Sequence, residues 1–310
     1  MLICLICLNV LYLLRRLYSS RKRMTARFRK KFNIDQSYFV GGSELRLPAE
    51  HRLPESQAVH SLYDRFLPYI VKELRPNSSV LDIGANIGDS LAAMAASNQS
   101  LNYLCIEPEV SFIKYLNHNI GGLVNQYPKL RVSVDSRLIS ASEEHKILVG
   151  ENGTRRAELA TVSGLRATSV DALCEEFDLR DVSLIKSDVD GWDWDVIRSS
   201  LKVIKRDKPI IYFEMMITDS KVLMEYSTTL NQILELGYSR FYLFDCFGAF
   251  MFETSDLEAI SQYGEYLLSQ FNSETTRAIY YIDIMCGVDT NPNMQISVEK
   301  YLAWSTDKKS

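Results

Sequence analysis

Short apolar runs alternate with segments of helical periodicity along most of the chain, and this alternation restricts the possible folds more than any other feature. Strands separated by helices form βαβ units, which build a mostly parallel sheet with helices on both faces. The pattern predicts strands at residues 80–83, 103–106, 131–139, 146–149, 182–186, 209–213, 241–244 and 278–284. It predicts helices at residues 61–74, 89–96, 110–119, 170–177, 192–204 and 221–236. Ligands of such sheets bind beyond the carboxyl ends of the strands, so functional residues are expected there.

The first 31 residues differ in composition from the rest of the chain. Residues 2–14 are almost entirely apolar, and residues 15–31 contain nine Lys or Arg and no acid. The remainder carries 26 basic and 39 acidic residues, a net charge of −13, which argues against nucleic acid as a partner. Positive charge that follows an apolar run predicts a membrane-associated protein whose body faces the cytoplasm, with residues 1–31 on an anionic membrane surface. The alternative is a buried helix followed by a solvated basic arm.

A strand, two glycines and a helix follow one another in the sequence VLDIGANIGDS, which begins at Val80. Gly84 permits a tight turn and a close approach of the backbone to a ligand, and Gly88 opens the helix. The spacing is G-x-x-x-G, and Asp82 precedes the first glycine, where a carboxylate would repel a pyrophosphate and attract a cation such as a sulfonium. We therefore predict that this loop binds S-adenosyl-L-methionine through Asp82, Gly84, Ala85, Asn86 and Gly88.

The next predicted strand ends in the sequence CIEP, which places an acid at the same edge of the sheet. Glu107 follows Gly84 by 23 residues, close to the offset at which a carboxylate binds ribose hydroxyls. Glu107 and Pro108 are therefore predicted to bind the cofactor. Asp135 and Ser136, on the following strand, are predicted to lie near the adenine.

The sequence SLIKSDVDGWDWDVI contains the second cluster of polar residues. The period of two in a strand places Lys186 and Asp188 on one face at its carboxyl end. We predict that Asp188 orients the acceptor or takes its proton, that Lys186 is its electrostatic partner, and that Asp190 lies beside them. A purely structural ion pair is the alternative. Glu214 ends a later strand, IYFE, and is predicted to bind the acceptor; no His-rich ligand set accompanies these acids, so no metal site is predicted.

These motifs, in this order, resemble the FkbM family of S-adenosylmethionine-dependent methyltransferases. That family has a V-x-D-I/V-G-A-N-I/V-G loop, a strand that ends in E-P and a later I-K-I-D-V-E-G-A-E block. The resemblance implies a Rossmann-like class I methyltransferase fold and O-methylation of a sugar, lipid-linked or small-metabolite hydroxyl, with a small molecule or glycan as acceptor. The chain departs from the family at Asp190, Trp192 and Asp193, which stand in place of Glu, Ala and Glu, and these changes bear on the acceptor.

The composition and the resemblance together divide the chain into four parts, and two rival functions remain. Residues 1–31 form the membrane-associating segment, residues 32–75 a lead-in with one helix, residues 76–290 the methyltransferase domain and residues 291–310 a C-terminal tail. A Rossmann-type oxidoreductase that uses NAD(P) is one rival, and the glycine spacing argues against it. A non-catalytic, membrane-anchored binding module is the other, and the intact loop argues against a decayed site.

Overall fold

The computed structural model describes residues 29, 31–142, 146–149, 156–159, 167–271 and 278–309. The predicted membrane-associating segment, residues 1–31, lies almost entirely outside the described residues. Within the part of the chain that is described, no helix is long and apolar enough to cross a membrane.

Strands and helices alternate through the described residues. The strands are β1 (Gln36–Val40), β2 (Ser43–Leu47), β3 (Ser79–Ile83), β4 (Asn102–Ile106), β5 (Arg131–Asp135), β6 (Leu138–Ile139), β7 (Lys146–Val149), β8 (Arg156–Leu159), β9 (Ala167–Thr168), β10 (Val182–Ser187), β11 (Ile210–Met215), β12 (Tyr238–Asp245), β13 (Phe250–Thr254) and β14 (Ile282–Val288). The helices are α1 (Leu53–Val59), α2 (Leu67–Lys72), α3 (Asp89–Ser97), α4 (Val110–Gln126), α5 (Val170–Glu176), α6 (Asp193–Arg198), α7 (Leu201–Asp207), α8 (Ser220–Glu235), α9 (Leu257–Phe271) and α10 (Pro292–Lys309).

Eight of these strands form the central sheet, in the order β13-β12-β14-β11-β10-β3-β4-β5. The five strands from β11 to β5 are parallel to one another. Strand β14 lies antiparallel between β11 and β12, and β13 extends the sheet beyond β12. This order, with a reversed strand inserted near one edge, is that of the expected Rossmann-like class I methyltransferase fold, which is confirmed.

Both faces of the sheet are buried, which explains why its strands read as continuous apolar runs. Successive residues of β3 show the division, because Val80 belongs to one core cluster and Leu81 to the other. The first cluster includes buried residues of α2, α3, α4 and α10, and the second includes residues of α5 to α9. Helices therefore cover the sheet on its two sides.

The N-terminal lead-in is more ordered than its sequence predicted. Residues 36–47 form the antiparallel hairpin β1–β2, whose turn consists of Gly41 and Gly42, both with positive φ. The predicted helix at 61–74 is wrong in its first half, because only α2 forms. Pro68 lies in the first turn of α2, the position where a missing backbone N–H is tolerated, so the helix starts there.

Three other predicted elements differ from the structure for local reasons. The helix at 192–204 is broken into α6 and α7, since the hydroxyls of Ser199 and Ser200 donate to the carbonyls of Val196 and Ile197. The strand at 131–139 divides into β5 and β6, where the Asp135 carboxylate accepts the backbone N–H of Arg137. The last strand begins at Ile282 rather than at residue 278.

Helix α10 occupies the segment that the sequence predicted as a tail. Its residues Met294, Val298 and Tyr301 are buried against the first core cluster. The hydroxyl of Tyr301 donates to the carbonyl of Gly248, 2.6 Å away. The C-terminal segment is therefore part of the packed fold.

Candidate functional site

A cavity of about 280 Å³ opens at the carboxyl edge of the parallel strands. Gly84, Glu107, Asp188 and Glu214, which end or follow β3, β4, β10 and β11, are among the residues that line it. The carboxyl ends of neighbouring parallel strands meet at this edge, so residues from distant parts of the sequence converge there.

Lys186 lies at the centre of this edge. Its Nζ atom is 3.1 Å from Asp82 Oδ1 and 3.6 Å from Asp188 Oδ2, and it donates to the carbonyl of Gly84 at 3.0 Å. Lys186 and Asp82 are direct partners in the register of β10 and β3. Burial by itself would lower the pKa of Lys186, but the charges of Asp82 and Asp188 outweigh it, so the pKa is raised and the ammonium stays charged.

The position of Asp82 changes the role that the sequence predicted for it. Its side chain has no exposed surface and does not line the cavity. Its carboxylate contacts the ammonium of Lys186 instead. Asp82 is therefore not placed to contact a sulfonium in the cavity directly. Asp82 acts on the cavity through Lys186, whose ammonium it neutralises and holds in place.

The glycine loop is shaped by contact between strand ends. Gly84 has φ of +75°, and a Cβ atom there would lie 1.9 Å from the carbonyl oxygen of Asp188. Glycine is required because the backbones of the two strand ends touch, so the predicted reason, close approach of a ligand, is secondary. Ala85 is buried and Gly88 caps α3, while Gly84 and Asn86 are the loop residues that line the cavity.

Most of the backbone N–H groups in this loop already have acceptors. Those of Gly84 and Ala85 donate to the carbonyl of Ile106, and that of Gly88 donates to Ala85. The N–H of Asn86 donates to Glu107 Oε2 at 2.8 Å. A pyrophosphate cradle needs such groups to be free, so this loop is not built for a dinucleotide.

Glu107 ends the second strand of the site in a fixed orientation. Its carboxylate also accepts the N–H of Glu109 at 2.8 Å, and its side chain is 5% exposed. Burial raises the pKa of Glu107 to about 7, although the hydrogen bonds from Glu109 and Asn86 oppose this rise. The group is poised to accept further hydrogen bonds from a ligand, and Pro108 lines the cavity next to it.

The two residues that the sequence predicted near the adenine lie outside the cavity wall. Asp135 and Ser136 do not line the cavity, whereas Arg137, Leu138 and Ile139 do. The carboxylate of Asp135 is engaged by the guanidinium of Arg137, at 2.7 Å. The shift arises because β5 ends earlier than predicted and its last acid turns back onto the chain.

The second half of the cavity contains the residues predicted to act on the acceptor. Asp188, Asp190 and Glu214 all line it, and Trp192 lies beside them. Asp193 does not, because it is completely buried and accepts hydrogen bonds from the Ser187 hydroxyl and the Gly191 N–H. Burial raises the pKa of Asp193 to about 7, and its position indicates a structural role beneath the turn.

Sequence reasoning missed several residues that complete the cavity. Four come from the lead-in, namely His51, Arg52, Tyr63 and Asp64. Two lie at the start of β14, namely Tyr281, which precedes the strand, and Asp283, which is in it. The His51 Nε2 atom is 3.3 Å from Asn86 Oδ1, so the lead-in contacts the glycine loop. The alternation of Tyr281 and Asp283 in an apolar run was a usable signal, because it places both on one face. Nothing in the sequence pattern singles out Asp64.

The family comparison decides the class of the protein. The sequence profile described as the methyltransferase FkbM domain matches residues 82–240, slightly more than half of the chain. The chain belongs to this family. The resemblance inferred from the motifs is confirmed, the protein is a methyltransferase by family, and its cofactor is S-adenosyl-L-methionine. No curated protein matches the chain.

Solved structures of methyltransferases match the chain at low similarity. Methyltransferase FkbM from Methylobacillus flagellatus has 17% identity and a TM-score of 0.38 over 61% of this chain and 54% of that one. TYW2 from M. jannaschii, in complex with AdoMet, has 9% identity and a TM-score of 0.42 over 82% and 86%. A SAM-dependent O-methyltransferase from Thermotoga maritima has 14% identity and a TM-score of 0.36 over 77% and 66%. The family assignment therefore rests on the profile match.

The buried ion pair between Lys186 and Asp82 leads to a stability prediction. Asp82→Asn and Lys186→Met should each lower the free energy of unfolding by about 3 kcal/mol or more, because each leaves a buried charge without its partner. The double variant should lose less than the sum of the two, as measured by denaturant unfolding. The exposed pair Arg75 and Asp181 is the control, and its alanine variants should change the free energy by about 1 kcal/mol or less. Strictly additive losses at Lys186 and Asp82 would contradict the coupling.

Proposed function

We propose that this methyltransferase transfers the methyl group of S-adenosyl-L-methionine to a hydroxyl oxygen of a small molecule or glycan. The observation that carries the proposal is the position of Asp188. Its carboxylate lines the cavity, is about half exposed, and lies 3.6 Å from the ammonium of Lys186, a short distance from the loop where the cofactor is expected.

The residues on the cofactor side of the cavity, which are Glu107 and those of the glycine loop, have a chemistry that fits S-adenosyl-L-methionine. Glu107 offers a buried carboxylate that is already oriented by two N–H groups, which suits a pair of ribose hydroxyls. The loop offers few free N–H groups for phosphate, and Asp89 adds an acid at the start of α3 on the cavity wall. Both features disfavour the rival reading, an oxidoreductase that uses NAD(P).

When bound, S-adenosyl-L-methionine supplies a methyl group on a positively charged sulfur that is ready to leave. The protein has to align the acceptor, exclude water and take up one proton. In the proposed reaction the carboxylate of Asp188 would take the proton of the acceptor hydroxyl. The methyl group would pass from the sulfur of the bound cofactor to the acceptor oxygen, with S-adenosylhomocysteine as the leaving group. The ammonium of Lys186 lies 3.6 Å from the carboxylate of Asp188 and holds it in place, and the backbone N–H of Asp188 donates to the carbonyl of Ile83 at 3.1 Å.

Replacement of Asp188 tests the proposal. Asp188→Asn should lower turnover by about 10²-fold or more, since the amide cannot accept the proton. Its affinity for S-adenosylhomocysteine should change little, because Glu107 and the glycine loop are unaltered. The assay measures radiolabelled methyl transfer per folded molecule against glycans, lipids and small metabolites. Full turnover of Asp188→Asn would remove this residue from the mechanism.

The raised pKa of Glu107 leads to a prediction about pH. With a pKa of about 7, Glu107 is mostly protonated at pH 6 and mostly charged at pH 8. The charged form is the better acceptor for ribose hydroxyls, so affinity for S-adenosylhomocysteine should rise several-fold between these pH values and level off above them. Calorimetric titration of the wild type and of Glu107→Gln measures this.

The Glu107→Gln variant should bind more weakly and lose the pH dependence. Glu175→Gln is the matched control, because Glu175 is exposed and does not line the cavity. It should behave as the wild type does. A wild-type affinity that is constant across this range would contradict the role assigned to Glu107, and binding of NAD in its place would favour the oxidoreductase.

We also propose that residues 1–31 attach the protein to an anionic membrane surface, with the methyltransferase domain on the cytoplasmic side. The support is the sequence, in which an apolar run is followed by nine basic residues. Deletion of residues 1–31 should release the protein from a membrane fraction and leave affinity for S-adenosylhomocysteine unchanged. High salt alone should not release the full chain, because the apolar run contributes independently of charge. A full-length chain that does not sediment with membranes would overturn this proposal.

A further inference from the structure

Two carboxylates face each other across the antiparallel edge of the cavity. Glu214 of β11 and Asp283 of β14 are direct partners in the strand register, and both line the cavity. Directly opposed residues of an antiparallel pair have Cβ atoms about 5 Å apart, and like charges in that arrangement are destabilising. Two acids therefore occupy directly opposed positions of the sheet, where repulsion between like charges is destabilising.

One carboxylate oxygen of Glu214 lacks a hydrogen-bond donor among the described residues. The side chain is 5% exposed, and among the described residues its Oε1 atom has no hydrogen-bond donor. The carboxylate of Asp283 does accept a hydrogen bond, from Tyr212. An unsatisfied acceptor that is buried in a cavity wall destabilises the unliganded protein, so a ligand that satisfies it gains affinity.

Two of the basic residues that line the cavity are paired with acids other than Glu214 and Asp283. In the described part of the chain, Lys186, Arg137 and Arg52 are the Lys and Arg residues that line it. Lys186 is held by Asp82 and Asp188, and Arg137 by Asp135 and by a second acid on α5. Arg52 follows His51, whose ring contacts Asn86 of the glycine loop.

The two acids lie on the acceptor side of the cavity. Strand β11 is two positions from β3 and β14 is three, which at about 4.8 Å per strand places them roughly 10 and 14 Å away. Glu107, on β4, lies on the other side of β3. The pair is therefore remote from the residues assigned to the cofactor.

We propose that the methyl acceptor carries a protonated amine, which binds between Glu214 and Asp283 while a neighbouring hydroxyl lies at Asp188. This inference rests on the proposed function and specifies its substrate class as amino alcohols, including amino sugars. An ammonium group has three donors and one charge, which can satisfy both carboxylates together.

The surroundings of the pair favour an organic cation over two simpler occupants. Among the described residues, no group of three or more His, Cys, Asp or Glu side chains is arranged to hold a metal ion. A proton shared by the two acids would remove one negative charge only, and Asp188 and Asp190 also line this cavity. Burial, together with the charge of Asp188, raises the pKa of both Glu214 and Asp283, as expected for carboxylates that lack their cation.

Fractionation of methyl acceptors by charge tests the proposal. A total extract from cells that naturally contain the protein is divided on a cation exchanger at pH 7, and each fraction is incubated with the protein and radiolabelled S-adenosyl-L-methionine. The label should enter the retained, cationic fraction, and N-acetylation of that fraction should abolish the transfer. Transfer to the unretained fraction, or transfer that survives acetylation, would overturn the inference. No transfer to any fraction by a protein that binds S-adenosylhomocysteine would instead contradict the proposed function, and the inference would fall with it.

Variants of the pair separate ligand binding from a structural role. Glu214→Gln and Asp283→Asn should each raise KM for the cationic acceptor by about tenfold or more, with a smaller change in kcat and unchanged affinity for S-adenosylhomocysteine. Glu265→Gln, an exposed position on α9, is the control and should match the wild type. Equal loss of cofactor affinity and acceptor affinity would assign the two acids to structure and overturn their role in recognition.

Discussion

The buried ammonium group of Lys186 is the charge on which the whole site depends. An uncompensated ion in such surroundings would cost several kcal/mol, so its partners have to be in place before the edge of the sheet can pack. The partners are Asp82 on the next strand, the carbonyl of Gly84 and the carboxylate of Asp188. One side chain thereby joins the end of β3, the glycine loop and the residue that follows β10.

This network explains why the two halves of the cavity keep a fixed relation. The parallel register sets Lys186 opposite Asp82, and the same register brings the backbones of Gly84 and Asp188 into contact. Groups on the cofactor side are then oriented by backbone N–H donors, as Glu107 is. Groups on the acceptor side, such as Glu214, are left for a ligand to satisfy. The cofactor side is therefore fixed by contacts within the protein, whereas the acceptor side contains a buried acceptor that no described residue satisfies.

The sequence predicted the central strands, the edge of the site and most of its acids, because buried parallel strands and glycine turns leave strong local signals. It predicted the role of Asp82 less well. The local sequence is the same whether an acid before a glycine contacts a ligand or contacts Lys186, which lies 104 residues later in the chain. It missed Asp64 and the packed C-terminal helix, whose burial is decided by contacts between distant segments. Spacing carries no information about such contacts, whereas the strand register does.

The division of the chain between cofactor and acceptor follows from the same geometry. The family profile covers residues 82–240, which include the glycine loop, Glu107, Lys186 and Glu214. Asp64 and Asp283, which face the acceptor half, lie outside that region, on the lead-in and on β14. Substitutions in these outer segments alter the charge and shape of the acceptor half without disturbing the Lys186 network, because none of its partners comes from them. One fold with one cofactor site can in this way have acceptor-binding surfaces of different charge and shape.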